Sequence, residues 1–188
     1  MIDFAPVYER TKTVQEIADG LSVADLRAAT TELFDLVYDM IAECDDADVT
    51  FQPVDPAAKD DAAASADEVN IAWTLGHVIV HLTASCEESA ALAAEAARGV
   101  AFHGRSRAET PWERVTTLAQ VRQRLAESHR MCLGSLDMWP DSPQLDAATE
   151  AWPGGPVIDA RGRYLLGLLH ADSHLGQIRD VLGQAQAV

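Results

Sequence analysis

The chain of 188 residues is poor in several things, and each scarcity narrows what it can be. Its three cysteines, Cys44, Cys86 and Cys132, stand far apart with no CxxC pair. An odd count so spaced does not look like a secreted disulfide framework, and it favours a reducing, cytoplasmic setting. Basic residues are scarce too, 14 Lys and Arg against 30 Asp and Glu, for a formal charge of −16. Nucleic acids and anionic lipid surfaces are bound through basic footprints, so neither is expected as a partner. No stretch approaches the 18 or so uninterrupted apolar residues of a membrane span, and the opening "MIDFAPVYER" carries Asp3 and Glu9 where a signal peptide needs an apolar core. A soluble, unexported protein is expected. Strand-like alternation never lasts more than a few residues, which leaves an all-α fold.

What is present is helical periodicity in four segments. Ser22 with Asp25 three residues on forms a capping-box pattern, followed by Leu26, Leu33, Val37, Met40 and Ile41 at helical spacing, so a helix is expected from Ser22 to near Cys44. A long acidic connection with two prolines follows. The second helix is expected from near Val69 to a glycine cap at Gly99. The third is capped by Thr117 with Gln120 and runs through Val121, Leu125 and Cys132 to about Leu136. After a second irregular crossover, "PQLDAATEAWPGGPVIDARGRY", Asp159 caps a final helix carrying Leu165, Leu166, Leu169, Leu175, Ile178, Val181 and Leu182. Four apolar stripes joined by long crossovers predict a four-helix bundle occupying residues 1–188 as a single domain.

Four of the six histidines form two pairs spaced i, i+4: His77 with His81, and His170 with His174. Each pair shares one face of an apolar helix. One helix can present two imidazoles to a metal and a neighbour a third, leaving a position for water or substrate. A single HxxxH is weak, because one buried histidine is more often an ordinary core residue than a ligand; two pairs strengthen the metal reading. Gln177, seven beyond His170 on the same face, suits either contact with a substrate or metal-bound water, or a plain surface role.

"WTLGHVIVHLTAS", followed far downstream by "HADSHLGQIR", resembles the DinB-like superfamily of bacterial helical bundles, and the likeness extends back to "DFAPVYER". That superfamily is related to thiol-dependent transferases and isomerases using mycothiol, bacillithiol or glutathione, maleylpyruvate isomerase among them. The resemblance implies a divalent metal, zinc or nickel, held by one histidine of the second helix and two of the fourth. The family's second-helix ligand falls eight residues after a tryptophan and precedes leucine or isoleucine, which selects His81 after Trp73 and before Leu82. His170 and His174 match the other two ligands, and His77 is the alternate ligand or a supporting neighbour. The resemblance also implies a homodimer, to which the small alanines of the second helix lend close approach.

Other residues admit two readings. The crossover "HGRSRAETPW" holds His103, Arg105, Arg107 and Glu109; Arg105 can grip the carboxylate of a substrate or close a loop salt bridge. Arg161 and Arg163 stand in the same position. Glu88 returns to nearly the face of His81 and could act as a base, but a solvated place at a helix end is the preferred reading. Cys86 and Cys132 lie in apolar surroundings with no neighbouring base, so no cysteine nucleophile is expected. No nucleophile elbow is present, and "WPGGP" lacks the strand-to-helix context of a phosphate loop.

The function expected is a divalent-metal-binding protein acting on a small molecule, as a metal-dependent transferase or isomerase with a low-molecular-weight thiol as co-substrate. The alternatives are a non-catalytic stress-response or ligand-binding bundle with a structural or opportunistic metal, and a metal-free bundle with buried histidines.

Overall fold

The computed structural model describes residues 2–59, 69–105 and 110–187. Two short helices, α1 (Ala5–Tyr8) and α2 (Val14–Ala18), precede α3 (Val23–Met40), and α4 (Asp46–Thr50) follows it. Then come α5 (Leu75–Ala97), a 3-10 turn at Trp112–Arg114, α6 (Leu118–Asp137), a two-stranded hairpin of β1 (Thr149–Glu150) and β2 (Val157–Ile158), α7 (Ala160–Ser173) and α8 (Leu175–Ala185). The fold is all-α apart from that hairpin.

The helix starts are set by local chemistry. Ser22 and Asp25 close the expected capping box on α3, as Thr117 and Gln120 do on α6 and Thr13 and Glu16 on α2. Each box satisfies two backbone donors that a helix start leaves orphaned. Asp159 caps α7 by accepting from the amides of Arg161 and Gly162. At the far end of α5, Gly99 takes φ +79° just past the last turn, a left-handed conformation that glycine adopts without a Cβ clash.

Four rods assemble around one apolar cluster. α5 packs chiefly against α7 and α6, while α3 packs against the same two helices, so α3 and α5 stand diagonally across the bundle. Leu26, Phe34, Leu75, Ile79, Leu125, Leu136, Leu165 and Ile178 fill its centre. At Gly167 the α7 backbone comes so close to α5 that an added Cβ would stand 2.7 Å from Ser89 Cβ and 3.2 Å from Cys86 Cα. This close approach lies one turn before His170. The N-terminal segment is tied to the same end of α7, because Tyr8 Oη donates to Asp172 Oδ2 at 2.7 Å and to the Leu169 carbonyl at 3.2 Å.

Several boundaries differ from the sequence reading. α5 starts at Leu75 instead of near Val69, since Thr74 is the residue whose side chain caps it. α3 stops at Met40, before Cys44. The acidic connection holds α4, nucleated by Asp45 accepting from the amides of Ala47 and Asp48. The second crossover contains the hairpin, paired Thr149 with Ile158 and Glu150 with Val157; its ladder stays at two residues per strand, and Pro156 has no N–H to extend it.

The final helix is interrupted. Ser173 Oγ donates to the His170 carbonyl at 2.6 Å, the acceptor that His174 N–H would use in a continuous helix, and His174 N–H turns to the Ala171 carbonyl instead. A side chain competing for a helical carbonyl in this way breaks the ladder locally. His174 is therefore the junction residue between α7 and α8. Among the described residues no helix is long and apolar enough to cross a membrane.

Candidate metal centre

α5 delivers His81 to the bundle rim two turns in from its N-terminus, and α7 brings His170 against it from the opposite wall. The Nε2 atoms of His81 and His170 are 2.8 Å apart. His174, at the junction, completes the group: its ring centroid lies 5.0 Å from that of His81 and 4.7 Å from that of His170. One ligand atom from each of the three falls within 4.8 Å of the others. All three imidazoles are partly buried.

Gln177 supports this arrangement from α8, with Oε1 2.8 Å from His174 Nδ1. An amide oxygen only accepts, so the contact holds the proton on Nδ1 and leaves the lone pair on Nε2. His77, the other member of the α5 pair, lies outside the three-histidine group. It is stacked between two tryptophans, 4.4 Å from Trp73 and 4.6 Å from Trp112 between ring centroids, and is buried. Trp73 also meets His81 and His174, at 4.6 and 5.7 Å, so one indole touches three imidazoles. The sequence reading used Trp73 only to set the register; its packing role depends on the bundle geometry.

The histidines open into a cavity of about 470 Å³. Ser85 and Glu88 line it from the α5 face that carries His81, Arg163 from α7, and Trp152 from the hairpin. Glu88 is not the solvated helix-end residue expected from the sequence. Its side chain is 6% exposed and accepts from Arg105 Nε at 2.8 Å and Nη2 at 2.6 Å. Burial of the carboxylate is tolerable because a guanidinium grips it. The reason it was misread is that Arg105 reaches it from a crossover remote in sequence. Arg105 thus forms the loop salt bridge that was one of its two readings, while also lining the cavity.

Arg163 is buried and holds the hairpin, donating to Thr149 Oγ1 and to the carbonyls of Glu150 and Ala151, with its guanidinium 4.7 Å from the Phe102 ring centroid. Burial lowers its pKa, Glu88 opposes that, and Arg105 adds to it. Arg161 pairs with Asp159 and Asp19, and His103 pairs with Glu95. Arg107 and Glu109 lie outside the described residues. All three cysteines are buried. Burial pushes the Cys132 thiol up to about 12 and the Cys86 thiol well above its usual value, so neither supplies a thiolate near neutrality.

No curated protein and no solved structure matches the chain. A family model described as the DinB superfamily matches residues 7–178, a span that includes every helix from α2 to α7 and all of the histidines just described. The chain belongs to the DinB superfamily.

Proposed function

We propose that this DinB-superfamily chain is a divalent-metal protein whose ion is held by His81, His170 and His174 and which transfers or isomerises a small molecule with a low-molecular-weight thiol as co-substrate. The observation that carries the reading is the convergence of three imidazoles, from helix positions 89 residues apart, at the wall of a 470 Å³ cavity. The donor set fits zinc or nickel, which accept neutral imidazole nitrogen, and three protein ligands leave room for an exogenous one. When bound, such an ion lowers the pKa of a coordinated thiol or water. The chain's own residues do the rest: Gln177 fixes the His174 tautomer, Trp73 packs the imidazoles in place, and the cavity walls limit access of water.

A functional ion is favoured over a structural one because the apolar cluster is complete without the histidines. The homodimer rests on the family resemblance alone, since Ala84, Ala90, Ala93, Ala94 and Ala97 of α5 are buried within the chain and offer no face to a second copy. Sedimentation that finds only monomer across micromolar concentrations removes it.

The test is elemental analysis of untagged protein, followed by titration of the zinc- or nickel-loaded form with a small neutral thiol such as 2-mercaptoethanol. Near-stoichiometric metal and metal-dependent thiol binding are expected. Metal that binds but never accepts a thiol supports the non-catalytic alternative, and no metal under any loading condition overturns the reading.

A further inference from the structure

A chain of stacked rings runs from the first irregular crossover to the histidine group. Trp112, in the 3-10 turn, lies on His77 with ring centroids 4.6 Å apart and planes inclined by 1°. His77 lies in turn on Trp73 at 4.4 Å and 20°, and Trp73 on His174 at 5.7 Å and 21°. Trp73 also touches His81, at 4.6 Å. Two of the three histidines of the group therefore rest on an indole that is itself stacked on His77.

The crossover is fastened to α5 beside this stack. A Cβ added to Gly76 would stand 2.5 Å from the Val115 carbonyl oxygen, so the backbone after the turn lies directly on the helix, one residue from His77. Val115 is buried, and its N–H donates to the Trp112 carbonyl at 2.9 Å. Seating Val115 thus seats Trp112, which is half-buried while Glu113 and Arg114 are exposed.

The rings differ in how firmly the backbone holds them. His77 stands on α5, but Trp73 precedes the Thr74 cap and belongs to no helix. The outer torsion of an imidazole is broad and roughly two-fold. A flat partner on each side of His77 narrows it to one orientation, and that ring is the surface on which Trp73 stacks.

We infer that Trp112 is a positioning residue for the metal: through His77 and Trp73 it holds His81 and His174 in place around one ion, and the bound ion in return steadies the crossover turn. The inference rests on the metal reading of the three histidines. His77 lies outside that group, so the influence of Trp112 on the metal passes through the stack. An aromatic pair contributes enough beyond its burial to change an equilibrium about two- to tenfold. Linkage requires that metal stabilise the stack by the same factor by which the stack favours metal.

Two measurements on the full chain test this. Zinc affinity, by competition with a chromogenic chelator, should fall about two- to tenfold in Trp112→Leu, which stays apolar but loses the flat face, and should return toward the parent value in Trp112→Phe. Gly76→Ala, which keeps every ring and displaces Val115, should weaken zinc in the same direction. The second measurement is hydrogen exchange at the Arg114 and Val115 amides, which donate to the carbonyls of Pro111 and Trp112. Zinc loading should slow it about two- to tenfold in the parent, and saturating zinc should leave it unchanged in His77→Leu. A Trp112 that only fills space would lower the melting temperature without making these amides respond to zinc. Parent-like zinc affinity in Trp112→Leu, or crossover amides indifferent to zinc in the parent, overturns the inference and leaves the metal reading standing; a parent that binds no zinc overturns both. If Trp112→Leu fails to fold, the exchange comparison in the parent decides.

Discussion

His81 on α5 and His170 on α7 face each other with their Nε2 atoms 2.8 Å apart. At that distance the rings share a hydrogen bond, one Nε2–H donating to the other ring's Nε2, so each polar nitrogen that leaves water gains a partner. Gly167, one turn before His170, makes the approach possible by removing the Cβ that would strike Ser89. The meeting of these rings thus lies one turn from a close approach of α5 and α7.

The bond from His174 to Gln177 predicts a graded effect on metal affinity. Gln177→Leu should weaken zinc binding about 10- to 100-fold, the usual consequence of removing the acceptor behind a histidine ligand. Gln177→Glu should retain affinity, since a carboxylate accepts from Nδ1–H equally well. Competition against a chromogenic zinc chelator measures both, and a Leu variant indistinguishable from the parent would show that Gln177 has no such role.

Trp73 stacks within 4.4–5.7 Å of three imidazoles, so its emission should respond to metal. Zinc titration is expected to change the tryptophan fluorescence saturably. Trp73→Phe should remove most of that change while keeping helicity. An undiminished signal in Trp73→Phe would place the responding indole elsewhere.

Much of this was legible in the sequence because the signals are local. Ser22 with Asp25, Thr117 with Gln120, and Asp159 announce helix starts within four residues of themselves, and the structure places caps at all of them. His81 was selected by its distance from Trp73, and it is the α5 histidine that meets His170 and His174. What escaped depends on partners far along the chain. His77 is sandwiched by Trp112, 35 residues away in an irregular segment. Glu88 is buried because Arg105 returns to it. The break at His174 arises from one serine rotamer, since Ser173 can as readily face water in an unbroken helix.

The buried acids predict instability in alkali. Cys132 is held up to about 12 by burial, against the pull of Ser128 and Arg124, and burial likewise raises Cys86 and Tyr164. An unfolded thiol ionises near pH 8.5. Stability is therefore fully present below about pH 8.5 and is lost as pH rises toward 12, because the unfolded chain releases protons that the folded one retains. Urea midpoints at pH 7.5, 9 and 10.5 should fall steadily, and the fall should be shallower in Cys86→Ala/Cys132→Ala. A midpoint indifferent to pH would contradict the burial of these groups.

The central claim is the ligand set, and X-ray absorption at the metal edge of zinc-loaded protein tests it most directly. Three imidazole nitrogens at about 2.0–2.1 Å are expected in the parent and in His77→Ala. His81→Ala, His170→Ala and His174→Ala should each lose most of the bound zinc and show two imidazoles in whatever remains. A parent spectrum with fewer than three imidazoles, or a His77→Ala spectrum that loses one while His81→Ala keeps all three, would contradict the account.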